Sequence, residues 1–346
     1  GQPEEAYPAS VRDLSMGGMS IWEKFEALEH DTGSGSALPA LPLPCAGAHY
    51  LAKGSAGEPV LLLRVQKRRV PRIPLGLRHV QVEFEVECAV IDRDAADSFV
   101  TATFCRVVCD PTAPGLHALF IHALAGAVEG LTPNLTPGEV DGFFEDAIEL
   151  FRSFSSPAKT SVLGLWGELL VIAASPGRDA LVTGWHVTPE QTFDFAFPGA
   201  HLEIKTTARH NRQHEFALTQ LRGYLVPTFV ASIVVEQSDA GENVFELACA
   251  VQDSLTPHNR AKLWRLISQS VGSEAEGAGD VRYLRAAALN SLRFYDAATL
   301  PAPEISASET QCLSNVRFSL DIDHMPSLPV FESNEVWRMV GVENTG

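Results

Sequence analysis

The sequence lacks long apolar runs and has no recognisable export signal. Its longest apolar stretches, near residues 118–128 and 226–235, are much shorter than the ~20 residues that a membrane-spanning helix needs. No basic segment followed by an apolar one opens the chain, as it does in secretory signals. We therefore expect a cytoplasmic protein without a membrane partner.

Paired cysteines and several common catalytic motifs are also missing. The six cysteines are scattered without a Cys-x-x-Cys, which favours reduced thiols over a zinc site or a disulfide framework. There is no Gly-x-x-x-x-Gly-Lys-Ser/Thr loop, so any ATP dependence would come from a partner. A nucleophile elbow is absent too, which leaves serine or cysteine nucleophiles without supporting context.

Positive charge is scarce. The 26 Lys and Arg face 43 Asp and Glu, a formal net charge of −17, whereas nucleic-acid binders usually carry a basic face. One stretch, between Glu58 and Glu83, has basic residues and no acidic ones: Arg64, Lys67, Arg68, Arg69, Arg72 and Arg78. It is either a phosphate-contacting patch or a solvated loop and strand face. The surplus carboxylates would then lie on a back face or at a subunit interface, such as that of a homodimer.

At 346 residues and 45% apolar content, the chain can form two globular domains. We predict a β-rich N-terminal domain over residues 1–112, a mixed α/β domain over 113–300, and a C-terminal extension with a late strand over 301–346. Strands are predicted at Val60–Val65, Val80–Ile91, Phe99–Val108, Phe229–Glu236, Val244–Val251 and Val316–Ile322. Helices are predicted at Ile21–His30, Leu116–Gly130, Pro137–Ser153, Val162–Ala174, Pro257–Val271 and Arg282–Leu292, and loops at Gly33–Pro44 and Gly272–Gly279.

The stretch from Asp194 to Thr207 is the most informative part of the chain. Phenylalanines alternate with Asp194, Pro198-Gly199 supplies a turn, and apolar residues then alternate with Glu203 and Lys205, as in a tight β-hairpin. With two turn residues, Asp194 faces Glu203 across the ladder, and such carboxylates need a cation between them. A divalent metal is the first interpretation; the alternative is a surface hairpin with solvated acidic residues, in which Lys205 is only a salt-bridge partner.

Other polar residues are candidates for the same site. Glu168 interrupts an apolar helix, where a buried carboxylate needs a partner; the alternative is an exposed stripe. Gln220 and Tyr224 have the spacing of one helical face and could contact substrate phosphate or orient the lysine, or could form an ordinary helix face. Arg209 and His214 lie in a polar stretch that could reach a nucleic-acid backbone or be a solvent loop.

These motifs resemble the PD-(D/E)XK nuclease superfamily. Asp194 and Glu203-Ile204-Lys205 match its signature, Leu163 to Leu170 resembles its first core helix with Glu168, and Gln220 to Tyr224 resembles the Gln-x-x-x-Tyr element of RecB-like members. More narrowly, the chain resembles an uncharacterised domain family assigned to that superfamily, whose pattern also includes Trp185 and Gln220-Leu221. One departure is Phe193, where the superfamily name has proline.

The resemblance implies a restriction-endonuclease-like mixed sheet flanked by helices, after the β-rich N-terminal domain. It also implies an Mg²⁺ or Mn²⁺ site formed by Asp194, Glu203, Glu168 and the carbonyl of Ile204, with Lys205 as a catalytic residue. The expected activity is DNA hydrolysis of the restriction or phage-defence kind, with methyltransferase or ATPase subunits as partners. The alternative is a catalytically silent scaffold or interaction subunit of a defence complex.

Overall fold

The computed structural model describes residues 20–29, 37–43, 48–95, 98–188, 191–306, 312–329 and 336–338, and the following concerns these residues. The helices are α1 Ile21–Glu26, α2 His117–Val128, α3 Pro137–Ser153, α4 Val162–Ala174, α5 Arg178–Gly184, α6 Leu218–Leu221, α7 Val244–Gln252, α8 Pro257–Val271, α9 Ala275–Ala278 and α10 Arg285–Ser291. The strands are β1 Ala37–Pro42, β2 Tyr50–Lys53, β3 Pro59–Arg64, β4 Leu75–Gly76, β5 Val80–Asp92, β6 Ser98–Cys109, β7 Phe195–Ala196, β8 His201–Thr207, β9 Gln213–Ala217, β10 Thr228–Val234, β11 Gln237–Glu242, β12 Arg293–Asp296 and β13 Arg317–Asp321. The predicted mixed α/β class is confirmed.

The first sheet closes on itself. Its order is β1-β2-β3-β6-β5-β4, and β1 also pairs in parallel with β5, which turns the sheet into a barrel. The strand β1 lies where the sequence predicted a loop, because backbone pairing to both β2 and β5 outweighs its proline content. The regular alternation expected along β5 is interrupted by a bulge between Glu83 and Val86, with Glu85 at a φ of 59°.

The second sheet holds the candidate site. Its order is β12-β10-β8-β7, with β8 and β10 parallel and the outer pairs antiparallel. One face, with Leu202 and Ile204 of β8, joins the main core, where β8 packs against α4. The opposite face packs Val230 of β10 in a smaller core with Phe216 of β9 and Ile322. The site strand is therefore covered on both sides.

Several predicted elements are wrong in type or partner. The segment predicted as a strand at Val244–Val251 is the helix α7, which Asn243 and Glu246 begin with a reciprocal capping box. The segment predicted as an acidic loop at Gly272–Gly279 forms short helical turns with buried alanines. The late strand β13 pairs with β9 in a two-stranded sheet, and with neither larger sheet.

The division into three parts stays a prediction. The strand β5 belongs to a sheet that does not contain Glu203, but one continuous apolar core joins barrel strands, α2, α4 and α8. Among the described residues no helix combines the length and the apolar character needed to cross a bilayer.

Candidate metal centre

The turn after β7 sets the register of the two site strands. The Phe197 N–H donates to the Ala200 carbonyl at 3.0 Å, which makes Pro198 and Gly199 the central turn residues, as predicted. The pairs Ala196–His201 and Phe195–Leu202 carry this register up to Asp194 and Glu203, the next residues of the two segments. The strand β7 is only two residues long, because Asp194 leaves the ladder and its Oδ2 accepts the Ile204 N–H at 2.7 Å. The carboxylate of Asp194 thus lies directly beside the site strand.

Glu203 and Lys205 share the sheet face that β9 and α6 cover. Glu203 is only 4% exposed, which excludes the alternative of a solvated surface hairpin. Its Oε1 accepts from Lys205 Nζ at 2.7 Å and from Gln220 Nε2 at 2.6 Å. Its Oε2 is buried and has no hydrogen-bond partner among the described residues. One oxygen of this carboxylate is therefore left for a ligand.

Glu168 approaches Asp194 from α4. The helix begins at the Ser161 cap, whose hydroxyl accepts the Gly164 N–H at 3.1 Å. Gly167 allows α4 to approach β8, since a Cβ at this position would overlap Thr206 Oγ1. Glu168 is buried, as its apolar surroundings predicted, and is not on an exposed stripe.

The partners of Glu168 are aromatic. Its Oε2 accepts from Trp185 Nε1 at 2.7 Å and contacts His186 Nε2 at 2.9 Å. His186 was not a sequence-based candidate. Its backbone is left-handed, with a φ of 40°, and its N–H donates to the Asp194 carbonyl at 3.0 Å. The sequence offered one signal for His186: it directly follows Trp185, which belongs to the family pattern given above.

Glu168, His186 and Asp194 form a compact group of potential metal ligands. One ligand atom of each lies within 4.8 Å of the others. Burial, followed by repulsion from Glu203 and Glu168, raises the pKa of Asp194 well above its usual value. Burial also raises the pKa of Glu203, against the opposing effect of Lys205. Three carboxyl groups that repel one another in a buried place are stabilised by a divalent cation.

The donor set fits a hard divalent ion. Mg²⁺ takes oxygen ligands and is commonly held by one or two carboxylates. Asp194 and Glu168 of the compact group supply such oxygens, and Glu203, which lies outside that group, stays a predicted ligand through its Oε2. The carbonyl of Ile204 stays a predicted ligand; its amide contacts Asp194.

The residue pattern is matched by one family profile. The family described as "Putative PD-(D/E)XK family member, (DUF4420)" matches residues 21–296, which include all the residues above. The chain belongs to this family. No curated protein and no solved structure matches the chain. The family membership indicates a nuclease-like fold.

Gln220 of the PD-(D/E)XK pattern contacts both charged residues of β8. Its Oε1 accepts from Lys205 Nζ at 3.2 Å, and its Nε2 donates to Glu203. The predicted shared helix face with Tyr224 is wrong, because α6 ends at Leu221 and Gly223 has a φ of 95°. Tyr224 instead packs edge-on against Phe193. A role in binding substrate stays a prediction for Tyr224.

The polar stretch after β8 divides into an exposed and a buried part. Arg209 is exposed and contacts Gln213, so a substrate contact remains a prediction. His214 lies in β9, is 5% exposed and contacts Ser232 Oγ at 2.8 Å. Burial lowers the pKa of His214 to about 4. The predicted reach of His214 toward a nucleic-acid backbone is therefore wrong.

The basic run in the barrel is partly neutralised by the protein itself. Arg68 and Arg72 both bind Asp141 of α3, and Lys67 binds Glu87 of β5. Three of the six basic residues in the run are thus paired within the protein, which weakens the interpretation as a phosphate-contacting patch.

Proposed function

We propose that this chain hydrolyses DNA phosphodiester bonds with Mg²⁺ or Mn²⁺, as a nuclease of the restriction or phage-defence kind. The observation that carries the proposal is the buried Glu203 carboxylate, which pairs with Lys205 through one oxygen and has no hydrogen-bond partner for the other among the described residues. A purely structural ion pair gains most when the remaining lone pairs are also satisfied. This one leaves an oxygen available beside Asp194 and Glu168.

The residues have separate tasks in this proposal. Asp194, Glu203 and Glu168 hold the ion, which when bound polarises the phosphate and lowers the pKa of a water. Lys205 has three N–H donors, of which Glu203 and Gln220 take two. The third can orient the attacking water, and the ammonium charge offsets the negative charge that develops on the phosphoryl oxygens. Gln220 holds Glu203 and Lys205 in this arrangement.

The test compares cleavage of plasmid and linear DNA by wild type and Lys205→Met with each metal. Methionine keeps an apolar stem near Phe216, over whose ring Nζ lies at 5.1 Å. We expect a loss of about 10²–10³ in rate, the usual effect of removing one electrostatic group from a transition state. Lys159→Met, at an exposed lysine, is the matched control and should cleave normally.

Thermal melts must accompany this assay to show that the variant is folded, because Lys205 is largely buried. Its side chain is 16% exposed, so its removal leaves Glu203 as a buried charge and should cost about 3 kcal/mol of stability without metal. Equal metal-dependent cleavage by a folded Lys205→Met variant would place the chemistry elsewhere.

A silent scaffold is the second candidate. It is favoured by the net charge of −17 and by the internal pairing of the basic run. On this hypothesis the acidic surface binds partner subunits, such as a methyltransferase or an ATPase, or a second copy of the chain. Absence of cleavage and of any metal-induced rise in melting temperature, also with the partner subunits added, would support the scaffold.

A further inference from the structure

We propose that His186 is a nitrogen ligand of the metal ion and makes the centre select Mn²⁺ over Mg²⁺; this rests on the metal centre of the proposed function. The residue lies outside the Asp–Glu–Lys signature. Its Nε2 faces the site, at 2.9 Å from Glu168 Oε2, and joins Asp194 and Glu168 in the compact ligand group.

The spacing of the group suits a single ion. Two ligands at about 2.1 Å on opposite sides of an ion are about 4.2 Å apart. The three ligand atoms already lie within 4.8 Å of one another. A small closing movement would therefore allow all three to bind one ion. A second observation is the buried Oε2 of Glu203, which has no hydrogen-bond partner among the described residues and could accept a cation.

The position of the imidazole is determined by its backbone. The left-handed conformation of His186 is strained for a residue with a Cβ, and such strain concentrates at functional sites. Hydrogen bonds on both sides hold it, from the His186 N–H to the Asp194 carbonyl and from the Val187 N–H to Gln191 Oε1 at 2.8 Å. The ring is thus presented to the two carboxylates before any ion binds.

The chemical consequence is a change of metal preference. Mg²⁺ takes oxygen ligands, whereas Mn²⁺, the hardest of the first-row divalent metals, accepts imidazole nitrogen beside oxygen, so a histidine ligand penalises Mg²⁺ more than Mn²⁺. The competing interpretation is that His186 only orients Glu168 through their hydrogen bond. If His186 only oriented Glu168, replacing it would weaken the binding of Mn²⁺ and of Mg²⁺ equally.

The experiment measures metal binding without DNA and without turnover. Isothermal titration gives the Kd of Mn²⁺ and of Mg²⁺ for wild type and His186→Gln, in which glutamine keeps a donor toward Glu168. We expect the Mn²⁺ affinity to fall by about tenfold or more and the Mg²⁺ affinity to change by less than about threefold. His258→Gln, at an exposed histidine of α8, is the control and should bind like wild type.

Pulsed electron paramagnetic resonance on bound Mn²⁺ provides a second readout. Wild type should show coupling of Mn²⁺ to a histidine nitrogen, and His186→Gln should lose this coupling. If the variant fails to fold, the wild-type spectrum alone still shows whether a histidine binds the ion. Bound Mn²⁺ without nitrogen coupling, or an equal loss of both metals in His186→Gln, would overturn the role of His186. If Asp194→Asn binds both metals as well as wild type does, the proposed centre itself fails, which is a distinct result.

Discussion

At the residue scale, the site is a concentration of negative charge that the protein holds out of water. Glu203 and Glu168 are each 4% exposed, and Asp194 is half-buried between them. Among the described Lys and Arg residues only Lys205 forms an ion pair with this group, and His186 contacts Glu168. Repulsion among these carboxylates therefore destabilises the metal-free protein, and a bound divalent ion would relieve it.

The first prediction concerns Asp194→Asn. Because the folded pKa of Asp194 is raised, the folded state binds more protons than the unfolded one above pH 3.8, and stability falls as pH rises from there through the folded pKa. The neutral asparagine should reduce this fall and make the metal-free protein more stable near neutral pH. The measurement is the free energy of unfolding between pH 4 and 8, in chelator.

The same variant should respond differently to metal. At an Mn²⁺ concentration 100 times its Kd, wild type should gain about 2.7 kcal/mol, and Asp194→Asn should gain almost nothing. Asp146→Asn, at an exposed position of α3, is the control for loss of one carboxylate. An equal metal response in Asp194→Asn and wild type would contradict the prediction.

A second residue-scale prediction concerns acid. His122 is buried, its ring stacks on Trp264 at 4.5 Å between centroids, and burial lowers its pKa to about 4. A depressed histidine pKa means that the unfolded state binds the proton first, so stability is lost as pH falls from about 6.5 to 4. His122→Phe keeps a ring against Trp264 and should reduce that loss by about 3 kcal/mol.

Chemical unfolding at pH 7 and pH 4.5 measures this difference. His214 has a similarly lowered pKa and should contribute a separate part of the acid sensitivity. His258→Phe, at an exposed site, should leave the loss unchanged. If the free energy of unfolding of His122→Phe falls between pH 7 and pH 4.5 as much as that of wild type, the buried His122 does not cause the acid sensitivity.

At the scale of elements, the close packing of α4 on β8 brings Glu168 to the carboxylates of the sheet. Gly167 is the contact point, and its missing side chain leaves room for Thr206. The helix and the strand each follow from local pattern, but their separation depends on this one position. A larger residue would push the Glu168 carboxylate away from Asp194.

We therefore predict that Gly167→Ala destabilises the protein by about 1–3 kcal/mol, as overpacking of a core usually does. It should also weaken Mn²⁺ binding, and Thr206→Ala should partly restore both, since removing Oγ1 relieves the nearest overlap. Gly142→Ala provides the contrast in α3, where an added Cβ meets nothing within 4 Å and alanine should stabilise by about 0.5–1 kcal/mol. Melting curves and titration of Mn²⁺ measure the two effects; a Gly167→Ala protein as stable as wild type would disprove the tight contact.

At the scale of the whole molecule, the charge distribution works against DNA affinity. Besides the net charge of −17, several cations are engaged in ion pairs within the chain: Lys67, Arg68, Arg72, Arg106, Arg260 and Arg282. These paired cations are less available to displace counterions from a phosphate backbone, and the excess of carboxylates repels it. DNA binding by the isolated chain should be weak and should depend little on salt.

The corresponding prediction is a slope of log K against log salt that is shallower than about −4, whereas six to ten phosphate contacts give about −5 to −9. Fluorescence anisotropy with catalytically silent Lys205→Met measures the slope. Arg209→Gln, at an exposed position near the site strand, should reduce its magnitude by about 1, and Arg106→Gln, paired with Glu83, should not. A steep slope in the isolated chain would reveal a basic surface and remove the need for a partner.

The sequence by itself determined the elements with strong local signals. The helices α3, α4 and α8 have the predicted bounds. Each begins after a capping Ser or Thr, α3 and α8 have Pro at the first position and an apolar face, and α4 is a continuous apolar run. The turn at Pro198-Gly199 likewise determines its own register, which pairs Phe195 with Leu202 and brings the chain segments of Asp194 and Glu203 together. Local propensity and capping act within a few residues, so a linear pattern suffices to predict them.

Only the tertiary structure decided which groups are buried and which meet. The helix α7 was predicted as a strand from its apolar residues, although the capping box of Asn243 and Glu246 is a local helix signal; its burial depends on packing against α4. His214 looked like a solvent residue, and β13, about a hundred residues later, covers it. His186 entered the site because a left-handed backbone placed its ring against Glu168, 18 positions away. Burial and such long-range contacts depend on segments far apart in the chain, and no local pattern encodes them.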